Sequence, residues 1–241
     1  IEDHFDVLSA ELIRNLEASG KTDILRENQA ISDMANFIYI RQKGLYGNGT
    51  PVLSAEPAIE NEFFAVLWGD EFIHAHPPRL AQMLAVHEKY GGAVISGVRI
   101  ERQEDLRRYG IAAVDHIEGN VYRIKKIVEK PEPDQAPSDL ATHGAYILPP
   151  EIFEILSHQQ PGTGGEIYLP EAIDQLIATG YPVYTAVIEN GHYYDTGNKL
   201  EYLKTVIDFA LARPDLGPEL RDYLEKIIAN PKSEIRNPKQ K

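Results

Sequence analysis

The side chains in this sequence that could do chemistry gather where apolar stretches end. The alternating run Val121 to Val128 delivers Glu129 and Lys130 side by side and is stopped at once by Pro131. An acid and a base at a strand exit stand over the crevice where ligands of open α/β sheets collect, although such a pair is also common as a solvated strand end. Asp70 follows the continuous apolar run Phe63 to Trp68; it reads either as a turn residue or as a carboxylate holding a divalent cation against phosphates, since Mg²⁺ takes only one or two protein carboxylates. Asp195 and Lys199, in the stretch Gly191 to Lys199, read as turn and cap chemistry or as a second carboxylate and a second cation for the same crevice. Gln42 follows another apolar stretch and carries donor and acceptor on one amide, which suits the edge of a flat ligand. No activated serine or cysteine pattern accompanies these groups.

Composition limits what they can serve. The chain has 241 residues, 43% of them hydrophobic, which suits a globular α/β protein. It contains no cysteine, so disulfides and thiolate metal sites are excluded and any metal must take carboxylates or histidines. A formal charge of -13 argues against binding a nucleic acid polymer, while a single nucleotide in a local basic pocket remains compatible. Neither an apolar run of about 18 residues nor a basic leader is present, so the reading is cytoplasmic with no membrane partner.

The elements that must position these residues follow from periodicity. Phe5, Leu8, Leu12 and Leu16 recur at helical spacing, and Gly20 is a plausible stop. Asn36 to Gln42 reads as a strand, followed by a loop with Gly47 and Gly49 and a helix capped by Thr50 with Pro51 in its first turn. The glycines are either a flexible turn or a place for a ligand to approach backbone; they form neither a dinucleotide nor a Walker fingerprint. Phe63 to Trp68 reads as a strand buried on both faces of a parallel sheet, and His74 and His76, ahead of Pro77 and Pro78, as surface loop residues. A helix with Leu80, Met83, Leu84 and His87 precedes the strand Ala93 to Ile100. Gln103 to Arg108 reads as a short helix, and Ile111 to Ile117 pairs with Val121 to Val128 around Gly119 as a local antiparallel excursion. Gly144 inside the strand Ala141 to Leu148 marks a bulge or a ligand contact. A helix to Leu156, a glycine-rich loop ending in Glu166, a helix packed through Leu169, Ile173 and Leu176, and a last strand, Pro182 to Ile188, complete the body. Asn198 with Glu201 reads as a capping box for a helix whose buried stripe is Leu200, Leu203, Ile207 and Ala210. A final helix carries Leu220, Tyr223, Leu224, Ile227 and Ile228, and a polar tail runs from Pro231 to Lys241.

Together these stretches resemble the bacterial UTP-glucose-1-phosphate uridylyltransferase family, within the wider sugar-nucleotidyltransferase group. The resemblance is carried by Arg41-Gln42 with Gly47-x-Gly49, Asp70, Tyr109-Gly110, Val128-Glu129-Lys130-Pro131, Gly165 to Leu169, and Asp195-x-Gly197-Asn198-Lys199. It implies an α/β fold, a Rossmann-like mixed and mainly parallel sheet flanked by helices, with a nucleotidyltransferase domain over 1–199 and C-terminal helices and tail over 200–241. It implies that Gln42 and the backbone near Gly47 recognise uracil, that Asp70 binds Mg²⁺, that Gly110, Glu129 and Gly144 contact sugar hydroxyls, and that Lys130 acts in catalysis with Asp70 by holding a substrate phosphate. Asp195 matches a second metal ligand and Lys199 a second phosphate contact. The implied reaction converts UTP and glucose 1-phosphate into UDP-glucose and pyrophosphate, in a homo-oligomer, dimer or tetramer.

Two departures qualify the resemblance. Tyr46 and Asn48 stand where relatives commonly have lysine and leucine. Members of the family also begin with a strand and a G-x-G-x-R loop that this sequence lacks, so a partial chain is expected. The alternatives are the same chemistry with another nucleotide or sugar phosphate, and a sugar-nucleotide binding protein without turnover.

Overall fold

Alternating and continuous apolar stretches build a six-stranded sheet. In the computed structural model, which describes residues 5–229, the sheet comprises β1 (Phe64–Leu67), β3 (Ala93–Arg99), β4 (Gly110–Glu118), β5 (Val121–Glu129), β6 (Leu140–Leu148) and β7 (Val183–Val187). Their order is β1-β6-β3-β7-β5-β4, and the first residues of β4 also pair with β6. A separate antiparallel pair is formed by β2 (Glu71–Ala75) and β8 (Gly191–Asp195). Helix α4 (Arg79–Tyr90) lays Met83 and Val86 on Val94, Val121, Ala145, Ile147 and Ala186 to form an apolar cluster.

The described chain divides into two compact units. One runs to Glu62 and includes Pro150–Gln175; the other comprises Phe63–Pro149 and the chain from Leu176. The first contains α1 (Ala10–Ala18), α2 (Thr22–Ser32), α3 (Gly49–Ser54), α5 (Glu151–His158) and the start of α6 (Leu169–Ala178). The second contains the sheet, the β2–β8 pair, α7 (Lys199–Ala212) and α8 (Gly217–Ala229). The boundary expected at 199/200 falls at the first residue of α7.

A mixed α/β fold with helices on a central sheet is what the sequence implied, but the parallel share is smaller. Among the described strands only β3 and β7 pair in parallel. The β4–β5 hairpin is not an excursion standing off the sheet: β5 pairs antiparallel with β7 and β4 with β6. Phe63 to Trp68 is correspondingly an edge strand, joined among the described residues to β6 alone and with Leu67 51% exposed, rather than a strand buried on both faces.

Other expectations are corrected by partners the sequence does not display. Asn36 to Gln42 forms no strand, because no neighbouring strand among the described residues takes up its backbone groups. Helix α1 begins at Ala10, where the Ser9 hydroxyl accepts from the Leu12 amide at 3.2 Å, instead of at Phe5. Helix α3 begins at Gly49, so Thr50 lies inside it, buried, and is not the cap. His74 lies in strand β2 and β8 follows β7 as a further strand. The α7 stripe is exposed, Leu200 by 60% and Leu203 by 57%. The polar tail from Pro231 lies outside the described residues.

Candidate active site

Strand pairing brings Asp70 and Asp195 together. Asp70 occupies the turn between β1 and β2, and β2 runs antiparallel to β8 with Glu71 opposite Asp195. The amides of Thr196 and Gly197 donate to the Asp70 carbonyl at 2.8 and 3.2 Å, and Asp195 Oδ1 accepts from the Gly197 and Asn198 amides at 3.0 and 3.1 Å. A Cβ on Gly197 would stand 3.2 Å from Asp70 Oδ2 and 3.3 Å from Asp195 Oδ1, so both carboxylates flank the small gap that glycine leaves. Asn198 then caps α7, its Oδ1 accepting from the Leu200 and Glu201 amides. Lys199 opens that helix, exposed, beside Gly197 and Thr196 in an open groove of about 450 Å³.

These two carboxylates fit a hard divalent cation that completes its shell with water and phosphate. Among the described residues no group of three or more His, Asp or Glu is arranged to hold a metal, so these carboxylates are not part of a larger all-protein cage there.

A second cluster lies at the ends of β4, β5 and β6. Gly110 pairs with Glu129 on one side and Thr142 on the other. A Cβ there would stand 3.0 Å from Glu129 Oε2 and 3.1 Å from Thr142 Oγ1, so those side chains would have to give by a few tenths of an ångström. Lys130 leaves the strand with φ 47°, its amide donating to the Tyr109 carbonyl at 3.0 Å and its Nζ 3.8 Å from Glu129 Oε1. Tyr109 in turn reaches the first cluster: with Arg108, Tyr193, Asp195, Asn198 and Glu201 it lines a cavity of about 170 Å³. Burial holds the Tyr109 phenol above its ordinary pKa against the opposing pull of Arg108, whose guanidinium lies 5.6 Å from the ring centre. Burial raises Tyr193 too, followed by the negative charges of Glu71 and Asp195.

Gly144 joins the clusters, with Glu71 in the space beside it. It has φ 38° and sits where β6 passes from pairing with β4 to pairing with β1, and its carbonyl accepts from the Trp68 amide at 3.1 Å. A side chain at Gly144 would collide with Glu71, whose carboxylate carbon lies 2.0 Å from the Cβ position. The expected bulge is therefore present, and the close approach on the Cα side is made by Glu71. That buried carboxylate is paired with buried Arg79, Nη1 to Oε1 2.9 Å.

Gln42 and Gly47 belong to the other unit. Gln42 donates weakly to the Leu45 carbonyl, at 3.3 Å, and is exposed. Gly47, at φ 113°, is required by the chain itself, since a Cβ would fall 2.2 Å from the Ile167 carbonyl oxygen. The amides of Gly49 and Ile167 donate to Ile167 and Tyr46 carbonyls, both at 2.9 Å, and Asn48 Oδ1 accepts from the Leu169 amide at 2.8 Å.

The residues that sequence reasoning missed are Glu71 and Arg79. Glu71 lies between the Asp70 turn and the prolines after His76, and Glu71-Phe72-Ile73-His74-Ala75 places two apolar residues side by side instead of alternating, so no local pattern marked the strand or its buried acid.

Residues 12–210 match the family described as nucleotidyl transferase. The chain is 41% identical over 235 residues to a UTP-glucose-1-phosphate uridylyltransferase of Bacillus subtilis (strain 168), covering 98% of this chain and 78% of that protein. It is similar to a UDP-glucose pyrophosphorylase solved with UDP-glucose, at TM-score 0.76 and 33% identity over 88% of this chain and 76% of that one. The UTP-bound UGPase from Acinetobacter baumannii superposes with TM-score 0.83 and 30% identity, covering 94% and 78%.

Proposed function

The chain belongs to the nucleotidyl transferase family, and on that premise we propose that it makes UDP-glucose and pyrophosphate from UTP and glucose 1-phosphate. The observation that carries this reading is the convergence of Asp70 and Asp195 about Gly197, with Asp195 also lining the Tyr109–Tyr193 cavity.

The sugar phosphate is itself the nucleophile. One of its oxygens bonds to the α-phosphorus of UTP as the bond from that phosphorus to the bridging oxygen breaks, and the electron pair leaves with pyrophosphate. Such a reaction asks a protein to align two polyanions and offset their charge, with no covalent intermediate on a side chain. In this reading Asp70 and Asp195 would hold Mg²⁺, which when bound would supply charge neutralisation at the phosphates. Lys130, held in its turn by the bond to Tyr109, and Lys199, at the start of α7, offer ammonium groups to phosphate oxygens. Gly110, Glu129 and Gly144 present backbone and a carboxylate to sugar hydroxyls, and Gln42 with the Gly47 backbone reads the uracil edge. The reading includes a homo-oligomer and a cytoplasmic setting; no described helix is long and apolar enough to cross a membrane.

The direct test is pyrophosphate release from UTP and glucose 1-phosphate with Mg²⁺, wild type against Asp70→Asn. Turnover is expected in the wild type and a loss of at least about a hundredfold in the variant, the scale on which removal of a transition-state charge partner is felt. Equal turnover in the two proteins sinks the assignment of Asp70.

A further inference from the structure

The buried ion pair of Glu71 and Arg79 has no part in the reaction as just described. Burying two charges is expensive, and an apolar pair of similar volume usually stabilises a fold at least as well. A pair with only 9% and 8% of its side chains exposed is therefore better read for what it orients. Glu71 touches three elements at once. Arg79, the first residue of α4, donates to it at 2.9 Å. Gly144 of β6 leaves room for its carboxylate, whose negative charge also bears on the Tyr193 phenol of β8. It also follows Asp70 directly and stands opposite Asp195 in the β2–β8 register.

We propose that Glu71, anchored by Arg79, is a positioning residue: it fixes the Tyr193 hydroxyl and the Gly144 peptide, and with them the spacing of Asp70 and Asp195. The inference rests on the uridylyltransferase reading for the reaction it serves, but the positioning itself is readable without turnover. The physical basis is reach. A carboxylate locked by a bidentate-capable guanidinium can hold a phenol and pack on a glycine at fixed distance, and a shorter or neutral side chain cannot do both.

Three variants test it. Glu71→Asp keeps the charge facing Arg79 but withdraws the carboxylate by one methylene from Gly144 and Tyr193. Its thermal midpoint is expected to stay within a few degrees of wild type, while kcat/KM for glucose 1-phosphate falls about ten- to a hundredfold, the usual effect of removing a group that orients a ligand-binding residue. Hydrogen exchange should accelerate locally at the amides of Thr196, Gly197 and Trp68, which donate to the Asp70 and Gly144 carbonyls. The double variant Glu71→Leu with Arg79→Met removes the buried charges together, so its midpoint should recover relative to Glu71→Gln while kcat/KM does not. Wild-type kinetics in Glu71→Asp, or joint recovery of midpoint and kcat/KM in the double variant, would overturn the proposal. If the wild type itself turns over neither substrate, the parent reading fails. The exchange data then decide alone: unchanged protection at Thr196, Gly197 and Trp68 in Glu71→Asp refutes the positioning role, and local loss upholds it.

Discussion

Lys130 is held in a conformation that a lysine does not choose. At φ 47° it lies in the left-handed region, which costs a residue with a Cβ about 1 kcal/mol, and the proline after it restricts that position further. The pairing of Gly110 with Glu129 and the bond from the Lys130 amide to Tyr109 over-determine the turn and hold it in place. Glycine would suit the backbone better, so lysine there speaks for its ammonium. Lys130→Gly should therefore raise stability by up to about 1 kcal/mol while turnover drops about a hundredfold, and Lys130→Ala should lose the turnover without the gain. Denaturant melts and pyrophosphate release on both variants check this; equal melts would remove the strain argument, and intact turnover would remove the phosphate role. Residues of this kind were legible because punctuation marks them: Pro131 fixes where Glu129 and Lys130 emerge, and Gly69 and Gly197 bracket the two aspartates. Glu71 was not legible, because its burial depends on Arg79 and on a glycine in β6 that no local pattern connects to it.

Elements were read well where one segment decides its own form, and poorly where a distant partner decides. The α4 and α6 helices follow their apolar spacing, with Met83, Leu169 and Ile173 fully buried. Strands β2 and β8 went unread because each is short, half-exposed and stabilised chiefly by the other. Asn36 to Gln42 failed in the opposite sense, having strand composition without a paired neighbour among the described residues, so that Ile38 is 73% exposed. The join between residues 46–49 and 167–169 shows the same dependence. Asn48 supplies the acceptor for the first amide of α6 at 2.8 Å. An orphan helix amide satisfied in this way is worth about 1 kcal/mol, so Asn48→Ala should lose that much and Asn48→Asp should keep most of it. Urea unfolding should show the loss in the midpoint with an unchanged slope. An alanine variant as stable as the aspartate one would show that the bond contributes nothing.

At the scale of the whole molecule, charge and exposed apolar surface point in different directions, and α7 is where they are reconciled. A formal charge of -13 makes most surfaces of two copies repel. Helix α7 is an exception, since Lys199 and Lys204 offset Glu201 and Asp208. Its inner side is committed: Phe209 packs on Phe72, His74 and Tyr194 with ring centres 5.3 to 5.7 Å away. Elsewhere on the helix Leu200, Leu203 and Val206 are 48 to 60% exposed, and Leu216 and Tyr223 continue the apolar surface toward and along α8. Exposed apolar side chains on a locally neutral helix are suited to a second copy of the chain. Light scattering is expected to give at least a dimer for the wild type, and Leu203→Glu, which sets like charges against each other, to give a monomer. Because Leu203 is exposed, the substitution should change unfolding stability by no more than about 0.5 kcal/mol beyond what dissociation removes. A monomeric wild type, or a Leu203→Glu protein that stays assembled, would mean that this face serves something other than self-association. Since α7 is capped by Asn198, whose amide donates to Asp195, an interface here would also tether the helix that follows the carboxylate pair.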